Sequence, residues 1–345
     1  MRILFAGSPD IAVPSLIRLS FEHEIVGVLT NPESQRGRGL ETAATPVAQA
    51  AAALSVSRGA PIPVLVPQRL GAEARAQVAP LGADILVSFA YGRLFGPRFL
   101  ALFPKGGVNV HPSLLPRYRG PAPIQSAILA RDRETGVSVQ RLALEMDSGD
   151  ILGVVRIPLS GMETAEDLSE TAALLGADLL SEVLERIERG EEVARPQEGE
   201  PSYCELLRKE DGLIDWAKPV LDIDAKVRAF SPWPGAFTHC RGQRLAILES
   251  FPYPHVTYAA GPSSLDLEDV APGTVLGLDK SRGIMVQTID GLIALRRLQK
   301  QHKEALPYRE FANGIRDLAG TVLGLPSSAT ESGPGYSSPE EADSP

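Results

Sequence analysis

Gly107-Val108-Asn109-Val110-His111-Pro112-Ser113-Leu114-Leu115-Pro116 decides how this 345-residue chain is read. It is a short apolar strand that runs into a proline-bounded loop. Side chains two apart on a strand point to the same side. Asn109 and His111 can therefore face one pocket, an amide beside a group that can carry a proton near neutral pH. Downstream, Met146-Asp147-Ser148-Gly149-Asp150 puts a carboxylate in a tight glycine turn. An amide can steady a developing oxyanion, an imidazole can handle protons, and a carboxylate can orient or deprotonate. That set suits transfer of an acyl or formyl group to an amine, although a histidine at a strand end also serves as a plain structural residue.

Working outward from this stretch, the first half of the chain alternates strand-like and helix-like segments. Residues 2–5, 24–29, 64–66 and 84–89 read as short apolar strands, and residues 11–19, 46–54 and 72–78 as helices between them. Such alternation implies a mostly parallel sheet with crossover helices. Asn109 and His111 then sit at the carboxyl end of a later strand, the edge where open α/β sheets bind ligands. The turn after the first strand is Gly7-Ser8-Pro9-Asp10. It lacks the G-x-G-x-x-G pattern, which argues against a nicotinamide or flavin dinucleotide. A further strand at 151–157 precedes an amphipathic helix at 165–189, whose stripe of Leu168, Ala172, Leu175, Leu179, Val183 and Ile187 reads as core packing.

Beyond it the pattern changes. Residues 190–212 are polar and proline-containing and read as a linker. A helix at 220–229 then precedes strand-like runs at 235–240, 245–251, 273–276, 283–287 and 291–298, separated by glycines and turn residues. That is the pattern of a small OB-like barrel. The expected organisation is a catalytic domain over 1–189, a linker over 190–212, a barrel domain over 213–320 and a disordered acidic tail over 321–345.

Composition is that of an ordinary globular protein, 43% hydrophobic and 22% charged. No apolar run approaches the roughly 20 residues that span a bilayer, and the opening residues do not read as a signal peptide. The two cysteines, Cys204 and Cys240, make neither a disulfide framework nor a zinc site. A cytoplasmic location without a membrane or a metal is the expectation. The net charge of −9 taken alone argues against a nucleic-acid partner. Residues 327–345 carry four of those charges as Glu331, Glu340, Glu341 and Asp343, with no base, so local patches decide whether phosphates can be held.

The site loop continues as Arg117-Tyr118-Arg119-Gly120-Pro121-Ala122-Pro123-Ile124-Gln125. With this extension the sequence resembles the folate-dependent formyltransferases, in which an Asn-x-His strand end runs into Ser-Leu-Leu-Pro and the catalytic aspartate follows. Within that family it is most similar to the branch acting on methionyl initiator tRNA. The residues that carry this are Phe5-Ala6-Gly7-Ser8-Pro9-Asp10, Ala90-Tyr91-Gly92, Glu134-Thr135-Gly136-Val137-Ser138, Met146-Asp147-Ser148-Gly149-Asp150-Ile151, Ile214-Asp215-Trp216 and Arg228-Ala229-Phe230-Ser231-Pro232-Trp233-Pro234-Gly235. They occur in the family's order over roughly residues 1–318. The resemblance implies a Rossmann-like formyltransferase domain followed by the OB-like domain, and a monomer with no permanently bound cofactor. The formyl donor would be 10-formyltetrahydrofolate as co-substrate and the acceptor initiator methionyl-tRNA. Asn109, His111 and Asp147 match the catalytic triad. Phe89, Ala90, Tyr91 and Gly92 match a loop near the pterin, and Ser113, Leu114, Leu115 and Pro116 match a segment lining the folate site. Simple loop packing is the alternative for the two leucines.

The loop Asn31-Pro32-Glu33-Ser34-Gln35-Arg36-Gly37-Arg38-Gly39-Leu40-Glu41-Thr42 resembles an inserted basic loop that the family uses against the tRNA acceptor end. Glycines around Arg36 and Arg38 let backbone approach a sugar-phosphate chain closely. Leu40 and Glu41 stand where the family usually has lysines, which leaves more of the work to Arg38. In the second domain Arg296, Arg297, Lys300 and Lys303, with His302, match a region that holds tRNA non-specifically. For each of these cations a solvated surface position is the alternative reading. Two competing functions share part of the pattern. One is a formyltransferase acting on a sugar-nucleotide amine or on glycinamide ribonucleotide. The other is a non-catalytic RNA-binding protein with an OB-like module.

Overall fold

Seven strands build the first sheet of this computed structural model, which describes residues 1–36, 41–255 and 270–324. The strands are β1 (Arg2–Gly7), β2 (Glu24–Leu29), β5 (Val64–Leu65), β6 (Ile85–Phe89), β7 (Gly107–His111), β8 (Glu134–Arg141) and β9 (Ile151–Pro158), and their order is β5-β2-β1-β6-β7-β8-β9. Pairings from β5 across to β7 are parallel, and β7–β8 and β8–β9 are antiparallel. The mostly parallel α/β architecture expected from the alternation is present. The excursion between β2 and β5 carries a two-stranded ribbon of β3 (Ser34–Arg36) and β4 (Glu41–Ala43).

Alternation along β1 shows why the sheet is covered on both faces. Ile3 and Phe5 pack with Val87, Val108, Val110, Val137 and Val139 in one core, and Leu4 and Ala6 pack with Leu86 in another. Strands apolar on both faces are what crossover helices demand. Helices α1 (Val13–Glu22), α2 (Pro46–Arg58), α5 (Pro123–Leu129) and α6 (Ala165–Arg189) contribute to the first core. Helices α3 (Ala72–Val78) and α4 (Pro97–Leu100) contribute to the second, with an aromatic row of Tyr91, Phe95, Phe99 and Phe103. The expected stripe of α6 is buried at Leu168, Ala172, Leu179, Val183 and Ile187. A capping box between Thr164 and Asp167 starts α6, and Gly190 in the left-handed region ends it.

The chain divides into two units. Met1–Arg208 with Arg228–Pro232 form the first, and Lys209–Val227 with the chain from Trp233 onward form the second. Two expectations need correction here. Residues 190–212 are not a free linker: Arg195 pairs with Ile151, Tyr203 pairs with Arg119, and the chain stays with the first unit to Arg208. The Gln197, Ser202 and Tyr203 side chains hydrogen-bond the site loop, a role that polar composition alone does not distinguish from solvation. Nor does the acidic tail begin at 321, because Leu323 is buried and Val322 bridges Thr274. The remainder of that tail, 325–345, lies outside the described residues.

The second unit holds an antiparallel sheet of β10 (Phe237–Cys240), β11 (Gln243–Pro254), β14 (Gly291–Lys300), β13 (Gly283–Gln287) and β12 (Val275–Asp279) in that order, with β15 (Ala305–Pro307) on β14. Helix α7 (Val220–Ala229) begins in it, and α8 (Tyr308–Asn313) packs Phe311 into its core. Ile214 and Trp216 are buried there, and the Trp216 indole donates to Thr238 Oγ1 at 3.0 Å. No helix among the described residues is long and apolar enough to cross a membrane.

Candidate active site

β7 delivers the first two groups. Val108 and Val110 face the first core, so Asn109 and His111 turn to the opposite side at the strand's carboxyl end. β8 runs antiparallel beside it with Gln140 opposite Asn109 and Ser138 opposite His111. The polar side of β7 thus meets the polar side of β8.

Asp147 arrives from the connection between β8 and β9. Its φ is +54°, a left-handed conformation that aspartate tolerates better than most residues. Two residues on, a Cβ at Gly149 would lie 1.8 Å from the Arg141 carbonyl oxygen, so the turn closes only with glycine there. The carboxylate is surrounded by donors. Oδ1 accepts from Gln140 Nε2 at 3.0 Å and from Asn109 Nδ2 at 3.3 Å, and Oδ2 accepts from the Gly120 backbone N–H at 2.9 Å. His111 Nδ1 lies 3.5 Å from Oδ2. The other ring nitrogen, Nε2, lies 2.9 Å from the Tyr118 carbonyl oxygen. A carbonyl only accepts, so Nε2 carries a proton and Nδ1 is the atom left to exchange one with Asp147. Asn109, His111 and Asp147 are thereby brought together as the sequence reading expects.

These three groups border a cleft of about 620 Å³ that also takes in Phe89, Ala90, Tyr91, Gly92, Arg93, Leu94, Ile124 and Met146. The volume is that of a small-molecule or cofactor site. The 89–92 loop expected near a pterin is in its wall. Ser113, Leu114, Leu115 and Pro116 are not. Ser113 is fully buried with its hydroxyl donating to the Arg117 carbonyl. Leu114 packs over Gly136, and the Leu115 N–H donates to Ser138 Oγ at 3.2 Å. This segment folds the loop onto β8 and leads it round to Gly120, so loop packing describes the two leucines.

Burial drives the pKa shifts of Tyr118 and Cys204. It pushes the Tyr118 phenol up to about 12, with the hydrogen bond to Asp132 adding to it. It also pushes the Cys204 thiol up. Cys204 Sγ accepts from the Ala122 N–H, and its carbonyl crowds Gly120, whose φ is +117°. Gly120 fits against the Cys204 carbonyl only because it has no side chain, and in that position its N–H reaches Asp147.

Two functional-looking residues escaped the sequence reading. Gln140 was legible in principle, because β8 alternates Val137 and Val139 toward the first core with Ser138 and Gln140 on the side of the site. Gln197 lies in the stretch read as a linker and gave no local signal. Among the basic residues expected to meet tRNA, Arg36 ends β3 and Arg38 lies outside the described residues. Arg296 stacks on Phe251 at 4.6 Å, Lys300 lies over Phe311 at 5.4 Å, and Arg297 and Lys303 are exposed. Lys300 also borders a second hollow of about 290 Å³ with Arg241, Arg244 and Arg316. No carboxylate among the described residues pairs with these four cations.

Comparison with known proteins agrees with this geometry. Residues 1–184 match the family Formyl transferase, and residues 206–316 match Formyl transferase, C-terminal domain. The chain is 45% identical over 321 residues to a methionyl-tRNA formyltransferase of Treponema denticola, covering 92% of this chain and 98% of that one. It is 40% identical over 328 residues to that of Roseiflexus castenholzii, covering 94% and 99%. Among solved structures, it is similar in fold to HypX from Aquifex aeolicus in complex with tetrahydrofolic acid. There the TM-score is 0.59 at 18% identity, covering 90% of this chain and 46% of that one. An N-formyltransferase from Helicobacter canadensis in complex with folinic acid and dTDP-3-aminofucose gives a TM-score of 0.58 at 19% identity, covering 87% and 99%. With both family domains matched in order and near-full-length relatives of this identity, the chain belongs to the formyl transferase family, among the methionyl-tRNA formyltransferases.

Proposed function

We propose that the protein moves the formyl group of 10-formyltetrahydrofolate to the α-amine of methionyl initiator tRNA, giving formylmethionyl-tRNA for translation initiation. The observation that carries this reading is the convergence of Asn109, His111 and Asp147 on one cleft in a chain of this family. The amine nitrogen attacks the formyl carbon, and the carbonyl oxygen takes up the negative charge. Asn109 spends one amide N–H on Asp147 and can turn the other to that oxygen. Such a donor is worth roughly 3–4 kcal/mol to the transition state. Asp147 receives the proton lost by the amine and can exchange it with Nδ1 of His111. The bond from carbon to the folate nitrogen then breaks, a proton goes to that nitrogen, and tetrahydrofolate leaves. Free α-amino groups titrate near about 8, so part of the acceptor is already neutral at physiological pH.

The cleft suits the donor. A pterin is flat with polar edges, and the irregular 89–92 loop offers backbone groups to read them, with Ala90 at φ +51° and Gly92 at +75°. We assign Phe89, Ala90, Tyr91 and Gly92 to folate binding. Arg36 and Arg38, in their glycine-rich loop, hold the acceptor end. Arg296, Arg297, Lys300 and Lys303 hold the tRNA backbone, joined by Arg241, Arg244 and Arg316 around the second hollow. A tRNA substrate implies work in the cytoplasm, and the protein acts there as a monomer with no permanent cofactor. The test is consumption of 10-formyltetrahydrofolate by the purified protein with charged initiator tRNA, free methionine or amino-sugar nucleotides as acceptor. Turnover only with charged tRNA is expected. Preference for the sugar nucleotide would overturn the acceptor, and no turnover with any of them would overturn the reaction.

A further inference from the structure

We propose that Gln197 is a positioning residue for Asp147, at the centre of a polar chain running Arg119–Gln197–Gln140–Asp147. The inference rests on the assignment of Asp147 to formyl transfer. Its starting point is the polarity of an amide. A glutamine side chain offers one accepting oxygen and one donating nitrogen, whereas a guanidinium only donates. Arg119 Nε and Nη2 lie 3.1 and 2.7 Å from Gln197 Oε1, so that oxygen is fixed on the arginine. Gln197 Nε2 must then face the other way. There it meets the backbone carbonyls of Asp147 at 2.8 Å and Gly149 at 2.9 Å, and Gln140 Oε1 at 3.3 Å.

Gln140 is buried, and its orientation is fixed twice over. Its oxygen accepts from Gln197 and also from the Gly149 N–H at 3.1 Å. Its nitrogen therefore points to Asp147 Oδ1. Two glutamines thus clamp the 147–149 turn from both sides, one by its carbonyls and one by its N–H and carboxylate. The clamp opposes relaxation of Asp147 out of its left-handed conformation. It also keeps the Gln140 amide turned so that its N–H donates to the carboxylate. Gln197 is brought to the turn by backbone pairing on either side of it, Arg195 to Ile151 and Tyr203 to Arg119.

Gln197 does not line the cleft, so its loss should appear in turnover and not in binding. Misplacing a reacting group by about 1 Å can cost a hundredfold. Two variants test the idea with the full chain, charged methionyl-tRNA and 10-formyltetrahydrofolate. Gln197→Leu should lower kcat by about ten- to a hundredfold with KM for both substrates within about threefold of wild type. Gln197→Glu keeps the partner for Arg119 but sets an oxygen against two carbonyls unless it is protonated. Its kcat divided by that of wild type should therefore rise as pH falls through the carboxyl's titration, a response that a merely structural loss would not show. Dividing by wild type removes titration of the substrate amine. Where Gln197→Glu fails to fold, Arg119→Leu stands in, since it frees the Gln197 amide to rotate; the same loss confined to kcat is expected. Wild-type kcat in Gln197→Leu or Arg119→Leu, a flat ratio in Gln197→Glu, or a loss carried by KM overturns the proposal. Failure of the wild type itself to formylate methionyl-tRNA would instead overturn the reaction assigned above.

Discussion

Replacing Asp147 by asparagine tests the site most directly, because it exchanges one carboxylate oxygen for an NH2 group with almost no change in volume. Every neighbour of the carboxylate is a donor or a ring nitrogen: Gln140 Nε2 and Asn109 Nδ2 on Oδ1, and the Gly120 N–H and His111 Nδ1 on Oδ2. An asparagine has two ways to sit. With its nitrogen at the Oδ1 position it opposes two amide donors. With its nitrogen at the Oδ2 position it opposes one, the Gly120 N–H. The second is the lesser conflict, and it leaves one inward-facing donor unpaired at a cost of about 1–3 kcal/mol. For a domain of this size that corresponds to a fall in melting temperature of about 2–4 °C per kcal/mol. The chemical loss is larger. Without the carboxylate neither the amine's proton nor a proton on His111 Nδ1 has an acceptor, and removal of such a group is worth at least about a hundredfold, or about 2.7 kcal/mol. The assay is single-turnover formylation of charged initiator tRNA, with thermal melting in parallel. Activity of Asp147→Asn within about tenfold of wild type would refute the acid–base role. An unchanged melting temperature would refute the reading that both carboxylate oxygens accept from fixed N–H donors.

Three further outcomes follow from the same observations. Asn109→Ala and His111→Ala should each lower turnover by at least about a hundredfold while the melting curve stays cooperative; near-normal turnover in either would remove that residue from the triad. Arg38→Ala should weaken use of methionyl-tRNA, leave folate affinity intact and flatten the dependence of activity on salt, because each phosphate contact adds to the salt slope; formylation over a salt series beside folate binding decides it. Burial and the neighbouring amino terminus hold the His23 imidazole below its ordinary 6.5, against Glu188 and Glu22. The unfolded chain therefore binds that proton more readily, and the stability from this site is present above about pH 6.5 and is lost as pH falls through the lowered value. His23→Gln should flatten that part of the melting-temperature profile, and an unchanged profile would show that the imidazole is not coupled to folding.

How much of this was legible in the chain depended on whether the information was periodic. Strands β1, β2, β6 and β7 are apolar runs bounded by turns, and α6 has a stripe at helical spacing, so each announces itself over a handful of adjacent residues. Asn109 and His111 shared a side because a strand has period 2, and β7 obeys it. β8 carries the same alternation, yet its positions on the side of the site are Gly136, Ser138 and Gln140. A half-polar strand beside a site resembles a loop until its partner β7 is known. The Ser-Leu-Leu-Pro run misled for the opposite reason. Its residues adjoin the site in sequence, but Ser113 turns inward and Leu114 fills the space over Gly136, so adjacency in sequence did not become exposure to the cleft.

Residues 190–208 mark the limit most clearly. They are polar, they carry Pro196 and Pro201, and they contain no regular run, which is the composition of a solvated connection. Several of their polar groups instead bond the site loop and the Asp147 turn. The Arg119 N–H donates to the Ser202 carbonyl, the Cys204 N–H to the Arg119 carbonyl, the Tyr118 N–H to the Ser202 hydroxyl, and Gln197 holds the Asp147 turn. A loop that must bend away from sheet geometry to present Gly120 and the Tyr118 carbonyl leaves backbone groups without a ladder, and buried backbone groups require partners. A second irregular segment supplies them. Its composition therefore reflects the hydrogen-bonding demand of residues some eighty positions earlier, as in the bond from Tyr118 to Ser202 with a separation of 84. No window of local sequence can report a demand of that kind; it becomes visible only when the donors and acceptors of the loop are followed one by one to where they end.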